Sequence, residues 1–260
     1  MSDPSQAPLE IRLIGEFPPE RTTLVFLHEG LGSVATWRDF PDRLCELTGL
    51  AGLLYSRQGY GRSATDGAAW SPDFMHKAAG QELAGLLATH RIHRPLLIGH
   101  SDGASIALIH AGQAVRTVQA VIAIAPHLFV EPITIEAIRA LKARSSIDPR
   151  LLASLARHHD DPQAMFKRWV NAWLSPAFAH WTIESDVARI KCPVLAIQGE
   201  HDQYGTLEQI HRLAALAIDT RCVVLPDCRH SPHLEAPTSL LNACCDFIAQ
   251  VSGAGSGPAR

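Results

Sequence analysis

Short apolar runs recur along the chain at regular intervals. TLVFLH (23–28), AGLLYS (51–56), PLLIGH (95–100), VQAVIAIA (118–125), PVLAIQG (193–199) and RCVVLP (221–226) are nearly continuous in apolar character. Strands covered on both faces read this way, whereas half-exposed strands alternate. Between the runs lie longer stretches with apolar residues at helical spacing, around 36–48, 72–91, 102–114, 206–217 and 235–251. Strand–helix alternation predicts an α/β domain, a mainly parallel sheet flanked by helices, with right-handed crossovers.

One interval breaks the rhythm. From 130 to 188 the pattern is helical with no good strand, and it holds Phe166, Trp169, Trp173, Phe178 and Trp181. The expected organisation is a core of 1–129 and 189–252 with a helical cap, 130–188, inserted between two strands. A cap lined with aromatics suits a ligand site; the plainer alternative is that these helices only cover the sheet. The tail 253–260 is rich in Gly and Ser and is expected to be disordered.

Composition changes the picture mainly by exclusion. The 260 residues are 47% hydrophobic and 19% charged, with a formal net charge of −3. That is ample for one sizeable core and lacks the basic surplus of a nucleic-acid binder. No apolar run approaches the roughly 20 residues of a membrane span, and the N-terminal residues lack signal-peptide form, so a cytoplasmic protein with no membrane partner is expected. The six cysteines show no C-x-x-C spacing, and most are expected to be small buried hydrophobes. RHHDDP (157–162) gathers His158, His159, Asp160 and Asp161, but consecutive residues do not readily converge on one ion, and Asp161-Pro162 reads as a helix start. No metal and no cofactor are expected; oligomeric state is left open.

The chemistry concentrates in GHSDG (99–103), a G-x-S-x-G pentapeptide between an apolar strand and a helical pattern. At a sharp strand-to-helix turn a serine projects from the carboxyl end of the strand, where open α/β sheets bind ligands. The N–H of the next residue, Asp102, sits at a helix N-terminus and suits a developing oxyanion. Serine needs a base oriented by an acid. GEHDQYG offers Asp202, with Glu200 as runner-up; DCRHSPHLEAP offers His230, with His233 as alternative. Each follows a predicted strand, so the three segments can meet at one sheet edge.

These segments together resemble the α/β-hydrolase fold family, in its lid-bearing form, over residues 9–251. FLHEGLGSVATW resembles its HG-x-x-G-S…W segment, YSRQGYGRS its D-x-x-G-x-G-x-S segment, GHSDG the elbow, GEHDQYG the acid turn and RHSPHLEAP the histidine loop. The resemblance implies a cofactor-free serine hydrolase with a Ser101–Asp202–His230 triad. It selects His230 over His233 and puts the second oxyanion N–H on Gly30. Two positions depart from the pattern: Ser56 stands where Asp is common, and Glu29 where Gly is usual.

An acidic residue thus flanks each expected oxyanion donor, and a carboxylate facing an oxyanion opposes it. Either Glu29 pairs with Arg38 or Arg57 while Asp102 rests in its helix's first turn, or one of the two faces the cleft and selects substrate. His127, Trp169 and Trp173 complete the expected substrate-binding set. The expected substrate is a small or medium apolar ester or lactone. Carbon–carbon hydrolysis of a β-diketone or ring-cleavage product, a non-catalytic ligand-binding role, and cofactor-independent oxygenation stand as alternatives.

Overall fold

A computed structural model of the chain describes residues 8–65, 67, 70–113 and 118–253. Seven strands form one sheet in the order β1-β3-β2-β4-β5-β6-β7. They are β1 (Ile11–Ile14), β2 (Thr23–Leu27), β3 (Ala51–Tyr55), β4 (Pro95–His100), β5 (Ala120–Ile124), β6 (Val194–Gly199) and β7 (Thr220–Leu225). All neighbouring pairs are parallel except β1–β3. Six strands match the apolar runs to within about two residues. β1 has no such run: it is a four-residue edge strand whose residues are largely exposed.

The helices are α1 (Phe40–Thr48), α2 (Phe74–Lys77), α3 (Ala84–Thr89), α4 (Asp102–Gln113), α5 (Pro132–Ser145), α6 (Pro149–Leu155), α7 (Pro162–Trp173), α8 (Glu184–Val187), α9 (Glu208–Leu216), α10 (Pro232–Glu235) and α11 (Pro237–Gly253). A π-helical stretch, Ala78–Leu83, joins α2 to α3, so the single helix expected at 72–91 is composite. α11 runs through Gly253, one residue into the expected tail; 254–260 lie outside the described residues. No helix among the described residues is long and apolar enough to cross a membrane.

β2, β4, β5 and β6 are buried along their whole length. Alternate residues feed two cores. Leu24, Phe26, Leu96, Ile98, Ile122 and Leu195 pack with Leu44 of α1 and Leu240, Cys244 and Phe247 of α11. Val25, Leu27, Leu97, Val121 and Ala196 pack on the other face with Ile106 and Leu108 of α4. That second core continues into α7 through Phe166, Trp169 and Trp173. Residues 102–112 of α4 are all buried, which is why its sequence shows little amphipathic contrast. Of the cysteines, Cys45, Cys228 and Cys244 are buried, Cys192 and Cys245 half-buried, and Cys222 on β7 exposed.

Between β5 and β6 the chain is helical, from α5 to α8, and α5, α6 and α7 each carry proline in the first turn. Proline's fixed φ and missing N–H suit that position. An isolated antiparallel bridge, Phe129–Thr182, ties the two ends of this insertion. Asp161 caps α7 by accepting from Ala164 N at 2.9 Å. His159 Nδ1 accepts from Gly61 N at 2.9 Å, and its Nε2 donates to Leu31 O at 3.0 Å. Both ring nitrogens of His159 are therefore occupied in joining the insertion to the loops after β2 and β3.

Ser56 shows how the first sequence departure is accommodated. Its Oγ accepts from Val34 N at 3.0 Å and donates to Glu10 Oε2 at 2.6 Å, and the same oxygen accepts from Arg62 N at 3.0 Å. Glu10, just before β1, brings the carboxylate that Ser56 lacks.

Candidate active site

β4 delivers Ser101 at its carboxyl end, and α4 begins one residue later. Ser101 has φ 54°, a left-handed conformation that costs a non-glycine residue of order 1–3 kcal/mol and clusters at functional sites. A Cβ on Gly103 would lie 2.1 Å from Leu27 O, so only glycine lets α4 start this close to β2. Ala104 N and Ser105 N bond to the Ser101 carbonyl at 2.8 and 3.1 Å. The strained serine is thus held from both sides.

His230, in the loop between β7 and α10, places Nε2 3.0 Å from Ser101 Oγ. Its Nδ1 lies 2.8 and 2.9 Å from the two carboxylate oxygens of Asp202. Asp202 follows β6 and also accepts from Tyr204 N at 2.8 Å and Gln198 Nε2 at 3.1 Å. Burial opposes its ionisation, but His230 and the Tyr204 N–H outweigh burial and hold its pKa below the ordinary value. Residues 101, 202 and 230 therefore form one hydrogen-bonded line across three strand ends. Glu200 is exposed, and His233 packs against the rings of Trp37 and His100. Burial lowers the His233 pKa to about 4.

Asp102, as first residue of α4, has an N–H with no partner inside the helix. Gly30 lies beside it: a Cβ on Gly30 would fall 3.0 Å from Asp102 Oδ2 and 2.2 Å from Trp169 Nε1. The indole of Trp169 therefore lies against the Gly30 backbone, and it donates to Asp102 Oδ2 at 3.0 Å. Burial raises the Asp102 pKa; Arg57, Trp169 and Trp173 pull it down without cancelling the rise.

The Glu29 carboxylate is partnered by His100, with Oε2 3.6 Å from Nδ1. The arginine pairing offered by the sequence is not what forms. Arg57 instead donates to the backbone carbonyls of His28 and Glu29, and its guanidinium lies 4.6 Å from the centre of the Tyr60 ring. Burial acts to raise the Glu29 pKa, but His100 holds it well below the ordinary value. Burial acts to lower that of His100, but Glu29 keeps it above. The residue before Ser101 therefore pairs with a carboxylate that nothing in GHSDG announces.

His127 is buried after β5, with its ring 6.0 Å from that of His230 and 5.1 Å from that of Trp173. Burial lowers its pKa to about 3, so it is neutral at pH 7. Trp173 in turn contacts Phe178 and Trp181 at 4.9 and 6.0 Å between ring centres. His127 thus lies against His230, Trp173 against His127 and Trp169 against Asp102, with Trp169 and Trp173 on one face of α7. Ser101 itself is 6% exposed. No cluster of metal-ligating side chains occurs among the described residues.

A model of the alpha/beta hydrolase family matches residues 24–243. The chain also resembles solved structures over nearly its whole length. The enol-lactonase from Burkholderia xenovorans LB400 has a TM-score of 0.72 at 21% identity, covering 93% of this chain and 96% of its own. A carboxylesterase structure from the thaumarchaeon Nitrososphaera gargenis has a TM-score of 0.74 at 20% identity, covering 97% and 98%. E-2-(Acetamidomethylene)succinate hydrolase has a TM-score of 0.70 at 22% identity, covering 92% and 94%. Identities this low establish a shared fold. No curated protein sequence matches significantly.

Proposed function

The chain belongs to the alpha/beta hydrolase family, and from that premise we propose that it is a serine hydrolase cleaving a small or medium ester or lactone through an acyl-enzyme on Ser101. The observation that carries this reading is the continuous line from Ser101 Oγ through His230 to Asp202, at 3.0, 2.8 and 2.9 Å.

In this reading Ser101 Oγ attacks the carbonyl carbon as its proton passes to His230 Nε2. Asp202, ionised and accepting at Nδ1, fixes the tautomer with Nε2 as base and stabilises the imidazolium that forms. The backbone N–H groups of Gly30 and Asp102 hold the oxyanion. His230 returns the proton to the leaving oxygen, the C–O bond breaks, and an acyl ester remains on Ser101. Water then attacks, losing its proton to His230; the acyl–Oγ bond breaks, His230 returns the proton to Ser101 Oγ, and the acid departs.

Helices α5–α8 act as a cap over this site. Trp169 and Trp173 close it, so substrate entry requires α7 to shift. Ester and lactone chemistry is favoured by the serine at the elbow, by the aromatic surroundings and by the likeness to lactonase and esterase structures.

Intact-mass spectrometry after treatment with a small fluorophosphonate tests the reading. A single adduct in the wild type, absent from Ser101→Ala, is expected. A folded wild type that forms no adduct and hydrolyses no ester or lactone in a panel would overturn it.

A further inference from the structure

Among the buried polar atoms without a hydrogen-bond partner near Ser101, two lie where Asp102 meets α7. One is Asp102 Oδ1, on a residue 1% exposed; the other is Trp173 Nε1, on a residue also 1% exposed. Leaving such groups unpaired in a dry interior is costly, and where they gather at a site they mark what the site is built to receive.

Their placement is not accidental to the site. Asp102 adjoins Ser101 in sequence. Its other oxygen, Oδ2, is already taken by Trp169 Nε1 at 3.0 Å. Trp173 lies four residues after Trp169 on α7, hence on the same helix face one turn on. Its ring abuts His127, which abuts His230. Its N–H faces the Asp102 carboxyl without reaching hydrogen-bond geometry. Arg57 compensates the charge of Asp102 from a distance, while one N–H on each of its terminal nitrogens donates to His28 O and Glu29 O.

With Asp102 ionised, the two unpaired atoms are an acceptor and a donor. A hydroxyl satisfies both at once, giving its proton to the carboxylate and taking the indole N–H on its oxygen. An ammonium would satisfy only the carboxylate. A carboxylate would meet the indole but be repelled by Asp102. An alkyl group would leave both atoms unpaired.

We propose, resting on the serine-hydrolase reading above, that the acyl group cleaved at Ser101 carries a hydroxyl close to its scissile carbonyl, held between Asp102 Oδ1 and Trp173 Nε1. Sites built to hydrogen-bond a substrate hydroxyl reject analogues that lack it far more strongly than apolar pockets reject a missing methylene.

The test compares kcat/KM for methyl butanoate, methyl 2-hydroxybutanoate, methyl 3-hydroxybutanoate and the matching methoxy esters. The wild type is expected to prefer one hydroxy ester at least tenfold over both the parent and the methoxy ester. That ratio is expected to fall below threefold in Asp102→Ala and, separately, in Trp173→Phe, whatever happens to the parent rate. Fluorophosphonate labelling of each protein reports whether Ser101 is still activated. A wild type that labels at Ser101 and hydrolyses all the esters equally overturns the hydroxyl proposal and leaves the hydrolase reading standing. So does a preference that persists in both variants. A wild type that neither labels nor hydrolyses any ester overturns the hydrolase reading, and this proposal with it.

Discussion

His100 Nε2 donates a hydrogen bond to the backbone carbonyl of His230 at 2.7 Å. A carbonyl only accepts, so this ring nitrogen carries its proton, and the residue preceding Ser101 holds the loop that carries His230. Glu29, on the opposite side of the ring, pairs with Nδ1.

The Glu29–His100 pair gives stability a defined pH window. The raised pKa of His100 stabilises the fold below about 6.5, and that contribution is lost as pH rises through the folded value. The lowered pKa of Glu29 stabilises above about 4.3 and is lost as pH falls through its folded value. Both contributions are present together between roughly 4.5 and 6.5. Glu29→Gln is therefore expected to lower unfolding free energy by about 1–3 kcal/mol in that window and by less at pH 9. Urea denaturation across the range measures it; a deficit that grows toward pH 9 would refute the pairing. His100→Ala should reduce kcat more than it raises KM, because the histidine loop, not the substrate contact, is loosened.

Asp202→Asn tests the orientation of the base. An amide presents a donor to Nδ1 and favours the tautomer with Nε2 protonated, unable to take the serine proton. On an active ester, kcat is expected to fall by about 10⁴ with the fold intact. A loss under tenfold would show that Asp202 is not the orienting acid.

Two buried neutral histidines make the fold acid-sensitive. His127 and His233, lowered by burial to about 3 and about 4, take up protons when unfolded near pH 6.5 but resist doing so when folded. The unfolded chain binds more protons between these limits, so stability is lost as pH falls there, by up to about 1.4 kcal/mol per unit for each histidine. His233→Gln should flatten the stability curve between pH 6.5 and 4.5; an unchanged slope would count against a buried, neutral His233.

Gly103→Ala probes the elbow. A methyl group 2.1 Å from Leu27 O cannot be housed without moving α4 away from β2. A loss of about 3 kcal/mol, with loss of fluorophosphonate labelling, is expected. A variant as stable as wild type would mean that the elbow is looser than drawn.

The parts legible in the sequence were those governed by local pattern. Continuous apolar runs marked the six central strands because each is buried on both faces. The order Ser101, Asp202, His230 was readable because each residue follows a strand at the same sheet edge. β1 was not readable: four residues at an exposed edge, with alternating side chains, carry almost no signal. Pairings across the sheet were equally silent. Glu29 meets His100 rather than arginine, Glu10 reaches Ser56 across 46 residues, and Trp169 meets Asp102 across 67. Such contacts depend on how loops and the inserted helices settle on the sheet, which spacing within one segment does not encode.

The double tie at His159 gives α7 a fixed end. Its N-terminus is pinned to the loops after β2 and β3 through Leu31 and Gly61, and Asp160 N adds a third bond, to Gly61 O, at 3.0 Å. At a rise of about 1.5 Å per residue, Trp169 stands about 10 Å along the helix from Pro162 and Trp173 about 16 Å. Any tilt about that pivot moves Trp173 farther than Trp169. In the proposed capping role, such a tilt about the proline end of α7 would part Trp173 from His127 before it moved Trp169 off Gly30.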